Sequence, residues 1–389
     1  MTLTELFAHY FLSEYKELII MKKQSYFSDK IDIWLLVCSI IAALFGIFAI
    51  NSATWSMSGH LRFVLIQSIA FILGLGAMTL MIYFRYTYLE KIRYLVFFAG
   101  IGMLLLVLAI GRLSHGMQGW ISIGPITIQP SEIAKICFII TLSLHISKVK
   151  DTVNKPKTLL FLCLHLIAYT LPVLLQPDLG TAFVFAVIFV FELFFSEISR
   201  KYIIGAIASV AAISPVIWLF LADYQRKRII SFFNPESDPT GSGYHVLQSK
   251  LAIGSGQILG RGYIKGPQTQ SGYLPEKQTD FIFSVIGEEA GIIGTIFITV
   301  VLLIIVYRCF DNAKSCAHDT FGELLCVGVG SMLFFHIIEN IGMCLGMMPI
   351  TGIPLPFISY GGSNLVTCFT CVGLVQSVRM RRRAVKFNI

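Results

Sequence analysis

Leu274-Pro-Glu-Lys-Gln-Thr-Asp-Phe-Ile-Phe-Ser-Val-Ile-Gly-Glu-Glu-Ala-Gly291 is where the chain changes character. A polar loop ends there and an apolar helix begins, with Asp280 at the junction. The apolar run continues to about residue 307, and about 20 such residues are what a helix needs to cross a bilayer. An ionisable group at membrane depth costs about 2.5 to 3.5 kcal/mol even on the lenient insertion scale. Asp280 therefore needs a solvated seat or a chemical role.

Outward from this stretch, the composition is of one kind. Of 389 residues, 56% are apolar and only 13% charged, far from the usage of a soluble domain. The chain reads as an all-α polytopic membrane protein. Its net charge of +8 does not point to nucleic acid, because the basic residues sit in short connections between apolar runs. The 9 cysteines follow no metal or disulfide spacing and read as small hydrophobes.

Hydropathy predicts about ten spans, at 32–51, 62–83, 93–111, 132–147, 158–175, 179–197, 202–222, 280–307, 321–346 and 363–380. Arg85, Lys91, Arg93, Lys148, Lys150, Lys155, Lys157, Arg200, Lys201, Arg308, Lys314 and the C-terminal Arg379, Arg381, Arg382, Arg383 and Lys386 all fall on one side. The positive-inside rule makes that side cytoplasmic and puts both termini there. Residues 1–31 form a cytoplasmic tail whose first 20 residues are either an amphipathic helix or sequence upstream of a start at Met21. Residues 381–389 form a second, basic tail. Between them lies one membrane domain, 32–380, with a long extracytoplasmic loop at 223–279.

Several constellations share the non-cytoplasmic side. Glu132 and Lys135, three apart after Gln129-Pro130-Ser131, lie on one helix face; they are a self-neutralising ion pair or a functional one, the lysine reaching a phosphate. Asp178, in Gln176-Pro177-Asp178-Leu179-Gly180-Thr181, is most simply a helix N-cap. Val246, Leu247, Leu251 and Ile253 predict an amphipathic helix at the membrane interface, ending at Gly254-Ser255-Gly256. The glycines that follow are too irregular for a nucleotide fingerprint. Arg226, Lys227, Arg228, Lys250, Arg261, Lys265 and Lys277 make the loop basic, for solubility or as the seat of an anionic headgroup. Arg226, Arg228, Lys250 and Lys277 are the candidate headgroup contacts. The Pro- and Gly-rich stretch 347–364 reads as a tightly folded or re-entrant loop, with Ser359, Tyr360 and Ser363 as its candidate substrate contacts.

Gln129-Pro130-Ser131-Glu132, Gln176-Pro177-Asp178-Leu179-Gly180-Thr181, Thr279-Asp280-Phe281 with Glu288-Glu289, and Pro354-Leu355-Pro356-Phe357-Ile358-Ser359-Tyr360-Gly361-Gly362-Ser363 occur in one order. In this the chain resembles the SEDS (shape, elongation, division, sporulation) family of cell-wall synthases. Gly352-Ile353-Pro354-Leu355-Pro356 and the stretch from Asp223-Tyr224-Gln225-Arg226 to Gly243-Tyr244-His245 resemble its elongation branch more than its division branch. It departs from the family pattern at Gln257, at Lys277-Gln278 and at Gly119.

The resemblance implies a peptidoglycan glycosyltransferase of the bacterial cytoplasmic membrane. It would polymerise lipid II onto a glycan strand carried on polyprenyl diphosphate, beside a class B penicillin-binding protein and other elongation proteins. It also implies that Asp280 is the essential aspartate and that Glu132 and Lys135 are the paired charges of the fourth span. Joining an α-linked donor to a 4-hydroxyl with inversion needs a base and a stabilised leaving diphosphate. Asp280 fits the base, although the residues alone leave open that it, or Thr279, only caps a helix. The leaving group would be neutralised by Lys135 and the basic loop, or by a divalent cation (Mg or Mn) brought with the diphosphate; no dedicated metal-ligand set is visible. Competing readings are a lipid II flippase and a non-catalytic scaffold for the transpeptidase.

Overall fold

The computed structural model describes residues 31–381 except 115–116, 124–125, 200, 203, 206–207, 209–225, 227–229, 235–237, 239–240 and 317. The N-terminal tail and most of the expected span at 202–222 lie outside the described residues, as does Arg228. The other nine expected spans are helices: α1 (Ile33–Thr54), α2 (His60–Tyr83), α3 (Arg93–Ile110), α4 (Pro130–Val149), α5 (Pro156–Leu175), α6 (Leu179–Phe195), α9 (Ile282–Lys314), α10 (Thr320–Cys344) and α11 (Gly362–Arg381). The long loop adds α7 (Ser242–Gly256) and the single turn α8 (Pro267–Gln270).

Local chemistry sets the helix starts. Asp32 and Asp178 cap α1 and α6 by accepting from Leu35 N and Thr181 N, and Pro130 and Pro156 open α4 and α5, where a missing N–H costs nothing. Among the described residues, six helices, α1, α2, α3, α5, α9 and α10, are long and apolar enough to cross a membrane. Large apolar side chains point outward from them, such as Ile72, Leu95 and Leu160, as suits a bundle solvated by lipid. The polar groups go inward instead. The more polar helices α4 and α11 bury Glu132, Lys135, Asn364 and Gln376. This is a multi-pass membrane protein.

One departure from the all-helical expectation lies between α3 and α4, where a small antiparallel sheet runs β1 (Arg112–Ser114), β2 (Met117–Ile123), β3 (Ile126–Ile128). At the opposite, basic end of the bundle, buried Asp32 accepts from Arg308 Nε at 2.8 Å and Asn312 Nδ2 at 2.8 Å, with Arg379 Nη1 at 3.6 Å. Two of the arginines that mark topology are thus anchored by a carboxylate.

The element that positions the site is α9, and it is broken. Gly291 takes φ 65°, ψ −163° inside it, a conformation open to glycine but strained for other residues. The backbone groups freed by the break are taken up by the long loop. Arg261 N and Gly262 N donate to the carbonyls of Glu288 and Glu289, while Ile292 N and Ile293 N donate to those of Gln257 and Ile258. Irregular backbone at membrane depth survives only with such partners. The approach is so close that a Cβ on Gly256 would lie 1.9 Å from Gly287 O.

Candidate active site

Residues 276–281 form a tight turn in which Glu276 O accepts from Thr279 N (3.1 Å), Asp280 N (3.1 Å) and Phe281 N (3.2 Å). Helix α9 starts only at Ile282, behind Phe281 as N-cap, so Asp280 is not the capping residue. Its carbonyl accepts from Asn340 Nδ2 at 2.9 Å and from the Cys344 thiol at 3.7 Å, both on α10. Its carboxylate Oδ2 stands 3.5 Å from the place a Cβ would occupy on Gly352, a residue at φ +76°.

The Pro- and Gly-rich loop closes over this turn. Ser359 Oγ donates to Thr279 O at 2.7 Å and accepts from Leu355 N at 2.8 Å, and Tyr360 N donates to Gln278 O at 2.8 Å. Gln67, wholly buried on α2, holds the other side through Ser359 O (3.2 Å) and Gly361 N (3.1 Å). Ser359 is 1% exposed with its hydroxyl doubly engaged, so it shapes the loop rather than meeting a substrate. Tyr360 is half-buried against Phe63, ring centroids 5.0 Å apart. Ser363 Oγ accepts from Gln129 N and donates to Thr127 O, each at 3.3 Å, tying α11 to the end of β3.

Beside this loop lies the buried pair. Lys135 Nζ is 2.9 Å from Glu132 Oε1, and both residues are 2% exposed. Lys135 Nζ also meets His336 Nε2 at 3.2 Å. An ammonium has only donors, so Nε2 accepts and the other nitrogen carries the proton that His336 Nδ1 gives to Pro354 O at 3.3 Å. Asn364 Nδ2 reaches Glu132 Oε2 at 3.4 Å. Helix α10 links the two centres: His336 touches Lys135 and Pro354, and Asn340, one turn on, touches Asp280 and Ile353. Lys135 and Asp280 are thus each linked to Ile353-Pro354 through one α10 side chain, His336 and Asn340. The lysine amine is enclosed by Glu132 and His336 rather than extended toward a phosphate.

Three buried charged groups hold the long loop down. Glu288, fully buried, accepts from Gln268 N (2.7 Å), Thr269 N (2.8 Å) and Thr269 Oγ1 (2.6 Å), capping α8. Glu289 accepts from Ser52 Oγ at 2.6 Å and Gln270 Nε2 at 3.2 Å. Lys277 corrects the expectation of a headgroup contact: it is 4% exposed, donating to Thr269 O at 2.6 Å and Ser56 Oγ at 3.1 Å. Burial pulls its amine below the usual lysine range against the attraction of Glu289 and Glu288. Helix α7 is also not the free interfacial helix its pattern suggested. Val246, Ser249 and Ala252 are buried, Ser249 bonding Ser284 and Cys344 O at 2.6 Å each, while Leu247 and Leu251 face outward. Of the remaining basic candidates, Lys250 is exposed beside Gly346, and Arg226 is half-buried.

Sequence reasoning passed over His336, Glu339 and Asn340. Glu339 is buried on α10 with Oε1 bonded to the Thr351 hydroxyl. Three polar residues on one face of an otherwise apolar span were the available signal.

Comparison with known proteins identifies the family. Residues 32–384 match the FtsW/RodA/SpoVE cell cycle protein family. The chain is 40% identical over 288 residues to the peptidoglycan glycosyltransferase MrdB of Escherichia coli K12, covering 74% of this chain and 77% of the relative. It is 34% identical over 365 residues to a probable peptidoglycan glycosyltransferase FtsW of Geobacter metallireducens, covering 91% and 96%. Among solved structures it superposes on a chain of a peptidoglycan synthase complex that coordinates polymerization and crosslinking, with TM-score 0.77, 30% identity and coverage of 90% and 98%. It also matches the rod shape determining protein RodA of Thermus thermophilus, with TM-score 0.68, 25% identity and coverage of 91% and 98%. The chain belongs to the FtsW/RodA/SpoVE (SEDS) family. Within it the chain is RodA-like.

Proposed function

We propose that this protein is a peptidoglycan glycosyltransferase that polymerises lipid II at the outer face of the bacterial cytoplasmic membrane during elongation, with Asp280 as general base. The observation that carries this is the setting of Asp280: it precedes the helix start, its carbonyl is held by Asn340 and Cys344, and the carbonyl of the adjoining Thr279 is held by Ser359. Such a mount fixes a reacting group. Asp280 takes the proton of the acceptor 4-hydroxyl as the oxygen attacks the anomeric carbon and the C–O bond to the diphosphate breaks. One carboxylate suffices, because inversion needs no covalent enzyme intermediate. Lys250 and Arg226 on the loop offer positive charge to the diphosphate. Lys135 is bonded to Glu132 behind the loop and acts on the site through His336 and Pro354. The oxygens of Asp280 suit a hard divalent cation arriving with the diphosphate.

The basic helix ends face the cytoplasm, with both termini, and a class B penicillin-binding protein supplies crosslinking as the partner. The complex purified with that partner and given lipid II should form glycan strands, and Asp280→Ala should abolish them. Undiminished polymer from Asp280→Ala would sink the assignment of the base. Lipid II translocation without polymer, by wild type and variant alike, would favour a flippase. The discontinuity of α9 is the feature a transporter would share, but it lies under a loop that is hydrogen-bonded across it.

A further inference from the structure

We propose that Glu339 is a positioning residue for Asp280, fixing the Thr351–Ile353 turn against the Asp280 carboxylate through its bond to Thr351; this rests on the reading of Asp280 as the base. Glu339 and Asn340 are consecutive on α10 and grip both sides of Gly352. Glu339 Oε1 takes the Thr351 hydroxyl, and Asn340 Nδ2 donates to both Ile353 O and Asp280 O at 2.9 Å. Between these grips, Gly352 faces Asp280 Oδ2 at the 3.5 Å its absent Cβ would leave.

The grip is built at the expense of the fold. Glu339 is 2% exposed and Asn340 fully buried, yet Glu339 Oε2 and Asn340 Oδ1 have no hydrogen-bond partner among the described residues. A buried acceptor without a donor destabilises the folded state. A leucine in each place would pack an apolar span better. Groups that weaken the fold and sit against the base serve the base. The neighbouring grips do not duplicate this one, since the Ser359 clasp holds Thr279 and the His336 contact holds Pro354. Among the described residues, Glu339 alone hydrogen-bonds the side chain of Thr351.

The experiment uses the complex with its transpeptidase partner, lipid II as substrate and the variants Glu339→Ala, Thr351→Val, their double, and Glu339→Gln. Loss of the link should lower kcat about tenfold, within the range that misplacement of a catalytic group produces, with KM within about twofold. The double variant should be no worse than either single one, because both remove one link. Glu339→Gln still accepts from Thr351 and should recover most of kcat, which a general loss of packing would not allow. Glu339→Ala turning over at the wild-type rate overturns the proposal. So does a kcat loss that Glu339→Gln does not recover, or that adds fully with Thr351→Val. A wild-type complex that makes no polymer refutes the underlying reading of Asp280 instead.

Discussion

Removing the Glu288 carboxylate should unlatch the long loop. Glu288 is fully buried and accepts three short hydrogen bonds, two of them from the backbone N–H groups of Gln268 and Thr269. Glu288→Ala leaves those two donors, Thr269 N buried and Gln268 N half-buried, without an acceptor, at about 1–3 kcal/mol each. The expected cost is therefore about 2–6 kcal/mol. The cost falls on the attachment of residues 257–270 rather than on the bundle, because α9 keeps its packing against α1 and α10. At 1.4 kcal/mol per tenfold, the open population of the loop should rise at least about thirtyfold. Trypsin reports this directly, since Arg261 and Lys265 are exposed on the loop but their backbone is hydrogen-bonded down, Arg261 N to Glu288 O and Lys265 N to Gly262 O. When reclosing is fast, cleavage follows the open population. Thr269→Val, which loses only the hydroxyl bond, should give a smaller rise of about fivefold. Equal tryptic rates at Arg261 and Lys265 in wild type and Glu288→Ala, in detergent and at equal protease, would refute the view that Glu288 is the latch.

Gly256→Ala places a methyl 1.9 Å from Gly287 O, a backbone contact that cannot yield, so it should both expose the loop to trypsin and lower the melting temperature in detergent. Lys135→Met leaves Glu132 buried without its cation, at about 3–5 kcal/mol; the melting temperature should fall and be partly restored by adding Glu132→Gln.

Much of the architecture is legible in the sequence because lipid imposes one demand, about twenty apolar residues per crossing. The nine described spans fall within a few residues of their expected places except at the far end of α9. Asp280 is legible for the same reason, as a charge at the edge of an apolar run. The partners are not. Asn340 meets Asp280 across 60 residues and Ser52 meets Glu289 across 237, and no local pattern encodes such distances. Charge counting misplaced Lys277, because composition does not tell a solvated ammonium from one folded inward onto Thr269. Periodicity likewise named an apolar stripe on α7, whereas burial follows Val246, Ser249 and Ala252, where Ser249 is held by hydrogen bonds. The small sheet between α3 and α4 had no strong signal, its strands Arg112–Ser114 and Ile126–Ile128 being only 3 residues each.

The break at Gly291 also bears on how the protein is made. A continuous helix of 33 residues would be about 50 Å long, well beyond the roughly 30 Å of hydrocarbon. From Gly291 to Lys314 the helix is about 36 Å long, so the inserting machinery meets a span of ordinary length without Glu288 or Glu289 in it. The nine residues before the break then belong to a cap that is assembled after insertion, when the loop arrives to occupy the opened backbone. Biogenesis would therefore proceed in two stages, with the seat of Asp280 completed in the second.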